Sequence, residues 1–328
     1  MLTKRPRYRL VAISVTVLAA LVSAGCGSRM AATASSSPAE KHNLVIATVP
    51  AASSAGLYVA QREGFFRQAG LNVKIVSVGS GAGVTAGLLN GGIDVLNGAY
   101  AGFIEAQAHG AGRFHILSDG YAGAPSVDEI VVLPGSGITS PQELAGKTIA
   151  VDALNSIAAL LVSSTLESVG IPPAKVHLVA IPFPAMPAAL GAHRIDAAYL
   201  PEPYLTQVEV QAGGEGIIDV NAGATRDFAI DGYVATVAWC KRYPKTAAAV
   251  AQAIDRGQAI ADTNRPLVES VLHEYTPISL QTAAIMALGD FPTTVDAAHL
   301  QRVPDLMQSF GQLKRPFDIT VMTNPIGS

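Results

Sequence analysis

Leu88-Leu89-Asn90-Gly91-Gly92-Ile93-Asp94 and Leu190-Gly191-Ala192-His193-Arg194-Ile195-Asp196 share one pattern, Leu-x-x-x-x-Ile-Asp. In each copy a helix ends and a short apolar strand follows. That strand is Val95-Leu96 in the first copy and Ala197-Ala198-Tyr199-Leu200 in the second, which predicts one α/β unit used twice. Two copies are too few for a solenoid. Two similar lobes leave a cleft between them, and such a cleft is where a small molecule is held.

Outward from the repeats, the same order of strand, polar loop and helix recurs. Leu44 to Val49 reads as a buried strand, closed by Pro50 and a small-residue loop before a helix from Leu57 to Ala69. Gly70 to Val78 is a second strand, and Gly79-Ser80-Gly81-Ala82-Gly83 leads into a helix through Asn90. Both loops are expected on one edge of a parallel sheet, where helix N-termini present free N–H groups. A second unit begins near Asp128. Its strands are Ile130–Leu133, Lys147–Val151, Val176–Ile181 and Gly216–Val220, and a strand from Tyr233 to Ala238 carries the chain back. The crossovers are expected near Ala122 to Leu133 and near Asp231 to Ala238. The expected lobes are 44–125 with 232–328, and 126–231.

Tyr58-Val59-Ala60-Gln61-Arg62-Glu63-Gly64-Phe65-Phe66-Arg67-Gln68-Ala69-Gly70-Leu71-Asn72-Val73 resembles the signature Ala-x-x-x-Gly-Phe-Phe/Tyr-x-x-x-Gly-Leu-x-Val. That signature belongs to ABC-importer substrate-binding proteins of the nitrate/sulfonate/taurine and thiamine-pyrimidine type. Glu143-Leu144-Ala145-Gly146-Lys147-Thr148-Ile149-Ala150-Val151 is similar to that family's Asp-Leu-x-Gly-Lys-x-Val-Ala-Val, and Glu202-Pro203 and Leu306 to Gly311 extend the match. The departure is His193, where the family commonly has Gly. The resemblance implies a periplasmic-binding-protein type II fold that closes on a small ligand about two hinges. It also implies delivery of that ligand to a permease with a cytoplasmic ATPase. The chain is separately expected to be a monomer with no cofactor or metal.

Loop placement supplies the candidate contacts. Ser53, Ser54, Ser80, Thr85, Asn97, Asn155 and Ser156 stand at or just beyond strand ends, where hydroxyls, amides and backbone N–H groups converge. Any one of them serves equally as a helix cap. Tyr100, Tyr121, Phe183 and Tyr204 are candidate aromatic walls, with plain burial as the alternative. Asp119, Asp152 and Glu202 are candidate partners for a ligand amine, or helix caps. No Lys or Arg occurs in 51–56, 79–85, 97–102, 119–126, 152–158 or 182–187. The expected solute is therefore neutral, zwitterionic or monoanionic, with an aromatic or amino-bearing pyrimidine ahead of simple sulfonates and nitrate.

The first residues address location. Lys4, Arg5, Arg7 and Arg9 precede an uncharged run from Leu10 to Val22, shorter than the roughly 20 residues of a membrane span but suited to a signal peptide. Ser23-Ala24-Gly25 before Cys26 resembles a bacterial lipobox, although a Leu is usual where Ser23 stands. Residues 1–25 are thus expected to be a lipoprotein signal peptide, with Cys26 acylated by palmitate or a similar chain. Residues 26–43, rich in Ser and Ala, are expected to tether an extracytoplasmic, membrane-anchored protein.

Twenty-two Lys and Arg against 25 Asp and Glu leave a net charge of −3, in which nothing invites nucleic acid, and no nucleic-acid partner is expected. With two cysteines, Cys26 and Cys240, there is neither a disulfide framework nor a Cys-based metal site. The seven His are scattered, and the glycine loop lacks the Lys-Ser/Thr of a phosphate loop. Asp94 and Asp196 are expected to fix the turns before their strands. The principal alternatives are an exported enzyme on the same fold, acting on a pyrimidine-like or carboxylate metabolite, and an adhesion or sensory lipoprotein.

Overall fold

The strands flanking the two Ile-Asp repeats build two five-stranded sheets. In this computed structural model, residues 39–79 and 82–325 are described. The expected signal peptide, Cys26, most of the tether and Ser80 lie outside the described residues. Chain order gives β1 (Asn43–Thr48), β2 (Asn72–Ser77), β3 (Val95–Ala99) and β4 (Phe114–Ala122). Next come β5 (Asp128–Val132), β6 (Thr148–Val151), β7 (His177–Ala180), β8 (Ala197–Pro201) and β9 (Glu215–Asp219). The last is β10 (Ala229–Thr236).

The sheet orders are β2-β1-β3-β10-β4 and β7-β6-β8-β5-β9. They are one arrangement used twice. In each sheet a parallel trio, β2-β1-β3 or β7-β6-β8, adjoins one antiparallel strand, β10 or β5, with a fifth strand outside it. Each antiparallel strand enters its sheet directly from the other one. This is the periplasmic-binding-protein type II fold, with two lobes, a cleft and two crossovers.

The repeated aspartates show why the motif recurs. The Asp94 backbone N–H donates to the Val45 carbonyl at 2.9 Å, and its Oδ2 accepts the Val45 N–H at 2.9 Å. Asp196 does the same to Thr148, donating to its carbonyl at 3.0 Å and accepting its N–H at 2.8 Å. Each carboxylate therefore ties the start of β3 or β8 to the middle strand of its parallel trio, β1 or β6. The expectation that these residues fix turns is met. The sites differ in burial: Asp94 also accepts from Lys41 Nζ at 2.5 Å and Trp239 Nε1 at 2.8 Å, whereas Asp196 is 41% exposed beside Lys147 at 3.8 Å.

Three boundaries differ from the sequence expectation. The helix expected over 57–69 is two, Ala55–Arg62 and Phe65–Gln68, because Gly64 turns left-handed at φ 73° between them. The strand expected over 233–238 is β10, and Val237–Arg242 is a helix capped by Thr236, whose hydroxyl accepts the Trp239 N–H at 3.1 Å. Cys240 thus sits in a helix, buried, with its thiol pushed up to about 12 by burial. The second crossover consequently runs over 220–228 and not 231–238. It lies against the first, where the Gly123 N–H donates to the Phe228 carbonyl at 2.9 Å.

Removing the Asp94 carboxylate leaves three donors without it, Val45 N–H, Lys41 Nζ and Trp239 Nε1, so Asp94→Ala is expected to lower stability by about 2–5 kcal/mol, against roughly 1 kcal/mol for the half-exposed Asp196→Ala. Urea unfolding of the two variants measures the difference. Equal losses would mean that the buried donors at Asp94 contribute nothing extra.

Candidate functional site

Parallel strands bring the loops at their C-terminal ends to one edge, and here the edges of the two sheets face each other. A cavity of about 890 Å³ lies between them. From the first sheet come Ser53 after β1, Thr85 of the helix Ala82–Leu89, Asn97 of β3, Tyr121 of β4 and Asp231 of β10. The second contributes Asp128 of β5, Asp152, Asn155 and Ser156 after β6, Phe183 after β7, Tyr199 of β8 and Glu202 just beyond it. Phe183 and Tyr199 stand 6.1 Å apart between centroids and form an aromatic flank.

Of the residues expected at the site, Ser53, Thr85, Asn97, Tyr121, Asp152, Asn155, Ser156, Phe183 and Glu202 line the cavity. Four others stand behind its wall. Ser54 is fully buried and donates to the Val49 carbonyl at 2.5 Å. Tyr100 is also buried and donates to Asp119 Oδ1 at 2.5 Å, so neither reaches the cavity surface. Tyr204 stacks beside Phe183 at 5.9 Å and donates to the Pro50 carbonyl at 3.3 Å. These are corrections with one cause: a strand alternates its faces, and a helix's first turn often points inward, which loop position alone does not tell. Ser156 lines the cavity and also caps the helix Ile157–Ser168, accepting the Ala159 N–H at 3.3 Å.

Sequence reasoning missed Asp128, Tyr199 and Asp231. The signal was there: Ala229-Ile230-Asp231-Gly232-Tyr233 and Val127-Asp128-Glu129-Ile130 each set an acid inside an apolar strand, an unusual place for a charge.

A family model described as NMT1/THI5 like matches residues 51–265. The chain belongs to the NMT1/THI5-like family. None of the curated proteins matches it in sequence. Among solved structures, it resembles the alkanesulfonate-binding protein SsuA from Xanthomonas axonopodis pv. citri bound to MOPS. That match has a TM-score of 0.73 and 16% identity, over 87% of this chain and 98% of that one. The periplasmic nitrate-binding protein NrtA from Synechocystis PCC 6803 matches with a TM-score of 0.72 and 15% identity, over 86% and 85% of the two chains. The desulfurization enzyme DSZB gives 0.66 and 16%, over 87% and 97%. At these identities the likeness is one of fold.

In this NMT1/THI5-like chain the cavity is acidic. Glu105, Asp128, Asp152, Glu202 and Asp231 line it, and among the described residues no Lys or Arg does. Asp128 accepts from Tyr199 Oη at 3.0 Å and from Asn221 Nδ2 at 3.1 Å. Asp231 Oδ1 accepts from Asn97 Nδ2 at 3.1 Å, and the Ser53 side chain also bonds its carboxyl. Glu202 accepts the Thr206 hydroxyl at 2.6 Å, the Thr206 N–H at 3.1 Å and the Ala287 N–H at 3.1 Å. Burial outweighs these donors. It pushes Asp128 up to about 6, and Glu202 and Asp231 each up to about 7. Gly120 allows the packing, since a Cβ there would collide with the Asp231 carboxyl. Among the described residues no cluster of His, Cys, Asp and Glu is arranged to hold a metal.

These raised carboxyls give a stability signature. Between about pH 4 and 7 the folded protein binds more protons at them than the unfolded chain does, so their contribution is full below the ordinary carboxyl range and is lost as pH rises towards 7. The ligand-free protein is expected to melt lower at about pH 8 than at about pH 5, by roughly 2 °C for each kcal/mol lost. Asp231→Asn is expected to flatten that slope. Calorimetric melting at the two pH values measures it, and a variant slope equal to that of the parent would place the titration elsewhere.

Proposed function

We propose that this chain is the extracytoplasmic substrate-binding component of an ABC importer. It captures a small organic solute between its lobes and delivers it to a permease served by a cytoplasmic ATPase. The observation that carries the reading is the cavity of about 890 Å³, large enough for a drug-sized molecule and lined by both sheets. The solved relatives named for sulfonate and nitrate binding support the class. Reversible capture is favoured over turnover by the lining: His109 is its one imidazole among the described residues, and buried Cys240 does not face the cavity. We take the lobes to divide at 123–127 and 220–228, and the protein to act as a monomer. The contacts we assign are those that line the cavity, together with Ser80.

Ligand binding is tested by thermal shift with sulfonates, nitrate, carboxylates, pyrimidines and amines. A true ligand at a hundred times its dissociation constant adds about 2.7 kcal/mol. Phe183→Ala is expected to weaken binding by roughly tenfold or more, since an aromatic wall contributes about 1–2 kcal/mol of contact. Small-angle scattering should show contraction with the stabilising solute, and unchanged dimensions would count against closure.

We further propose that Cys26 carries the lipid that holds the protein at the membrane. The basic leader and the small residues before Cys26 support this. Among the described residues, no helix is long and apolar enough to cross a membrane. Cys26→Ala is expected to release the protein from the membrane fraction and to abolish acyl labelling. A parent protein that is already lipid-free would refute the anchor.

A further inference from the structure

We propose that the solute carries a protonated amine or quaternary ammonium group on an apolar, flat body, with the cation seated between Asp231, Asp128 and Glu202. This rests on the cleft being a solute site, and it specifies the charge of what the site takes.

The argument starts from what surrounds the three carboxyls. Both Asp128 oxygens accept from side-chain donors, both Glu202 oxygens accept, and Asp231 accepts from Asn97 and Ser53. Donors of this kind stabilise a carboxylate, because a neutral acid would need an acceptor for its own proton. The amide and backbone donors of this shell thus favour the ionised form, although without a cation burial still outweighs them. Among the described residues, no Lys or Arg lines the cavity to bring it positive charge. The remaining groups that act on these residues add none: Asp219 acts on Asp128, Glu209 on Glu202, and Asp119 and Asp128 on Asp231. Asp119 is itself bonded to Tyr100 and has its carboxyl raised by burial, with His299 and Asp296 exerting opposite, lesser influences. Asp128, Glu202, Asp231 and Tyr121 all line the same cavity. A ligand cation is the component that would complete the set.

The walls agree. Phe183 and Tyr199 offer ring surfaces of the kind that attract ammonium groups and stack on flat ones. An anion, by contrast, would meet five carboxyls and no Lys or Arg among the described lining residues. That separates this cavity from one suited to a sulfonate or nitrate.

The competing account keeps the acids protonated, as hydrogen-bond donors to a neutral solute. The two accounts predict opposite pH dependences. A cation favours ionised acids, so its binding releases protons and tightens as pH rises from about 5.5 to about 8. A neutral acceptor binds protonated acids and weakens over the same interval.

The test uses matched probes that share one body and differ in charge: benzyltrimethylammonium, benzyl alcohol and phenylmethanesulfonate, with the same trio on butyl and pyridylmethyl bodies. Titration calorimetry is run at both pH values and in two buffers of different ionisation enthalpy. The expected result is that within a set the ammonium binds at least tenfold tighter than the alcohol, with proton release and tighter binding at the higher pH. Asp231→Asn and Glu202→Gln are expected to weaken the ammonium roughly 10- to 100-fold while barely altering the alcohol. The inference is overturned if the sulfonate or the alcohol is the tightest member, if affinity for the ammonium falls with pH, or if the variants weaken ammonium and alcohol equally. Failure of every probe, whatever its charge, would overturn it together with the reading of the cleft as a solute site. Binding of a wrongly charged probe would overturn this inference alone.

Discussion

A carboxylate taken out of water must be held by donors, by a counter-ion, or by its own proton. The back of this cleft holds three with donors but no cation among the described lining residues, and burial keeps their protons on to higher pH than usual. Much of the local architecture follows from keeping them there. Asn97 is drawn into β3 to meet Asp231, Asn221 closes on Asp128 from the second crossover, and Thr206 gives Glu202 both its hydroxyl and its N–H. Each partner is itself buried, so the donors were desolvated to serve the acids. Such an arrangement stabilises folding less than an apolar packing of the same volume would, which marks the cluster as a candidate functional site.

The duplicated sheet makes this placement possible. β5 and β10 are the two strands that leave one half of the chain for the other, and both run antiparallel to their neighbours. Their first residues therefore lie at the edge where the parallel strands end. Asp128 opens β5 opposite Pro201 at the end of β8, and Asp231 follows the start of β10 opposite Ala99 at the end of β3. The same topology that creates two crossovers thus sets an acid beside each of them. The Asp94 and Asp196 brackets, which fix β3 to β1 and β8 to β6, hold the frame against which those registers are kept.

The fold was legible because its signals are local and repeated. Leu88 to Asp94 and Leu190 to Asp196 announce the same helix-to-strand turn, and the strand-loop-helix order follows from apolar runs broken by Pro50, Gly79 and Asp152. The site was legible only as a set of loops. Ser53, Asn97, Phe183 and Glu202 were found that way, while Tyr100 and Ser54 were placed with them although their side chains point into the core. Asp128 and Asp231 could not be found from loops at all, because they are contributed by strands that cross between sheets. An acid in an apolar strand marks each as unusual, but placing them at the site requires the pairing of β10 with β3 and β4 and of β5 with β8 and β9, contacts between residues far apart in sequence. The boundary at Val237 was missed for a smaller reason: a Thr cap after an apolar strand reads as one more strand residue.

Charge and motion are linked by the same geometry. Asp231 belongs to the first sheet, while Asp128 and Glu202 belong to the second. Glu202 is also a bridge between the halves. Its carbonyl accepts the Ala52 N–H at 3.1 Å from the loop after β1, and its side chain accepts the Ala287 N–H at 3.1 Å. A ligand that contacts carboxyls from both sheets gains its full electrostatic stabilisation only in conformations where the sheets meet. A ligand shifts a conformational equilibrium only by its difference in affinity for the two states, and charges divided between lobes create such a difference where charges on one lobe do not. If the proposed cation binds there, the cluster beside the crossovers would serve recognition and closure at once, because the groups contacting the charge belong to both sheets.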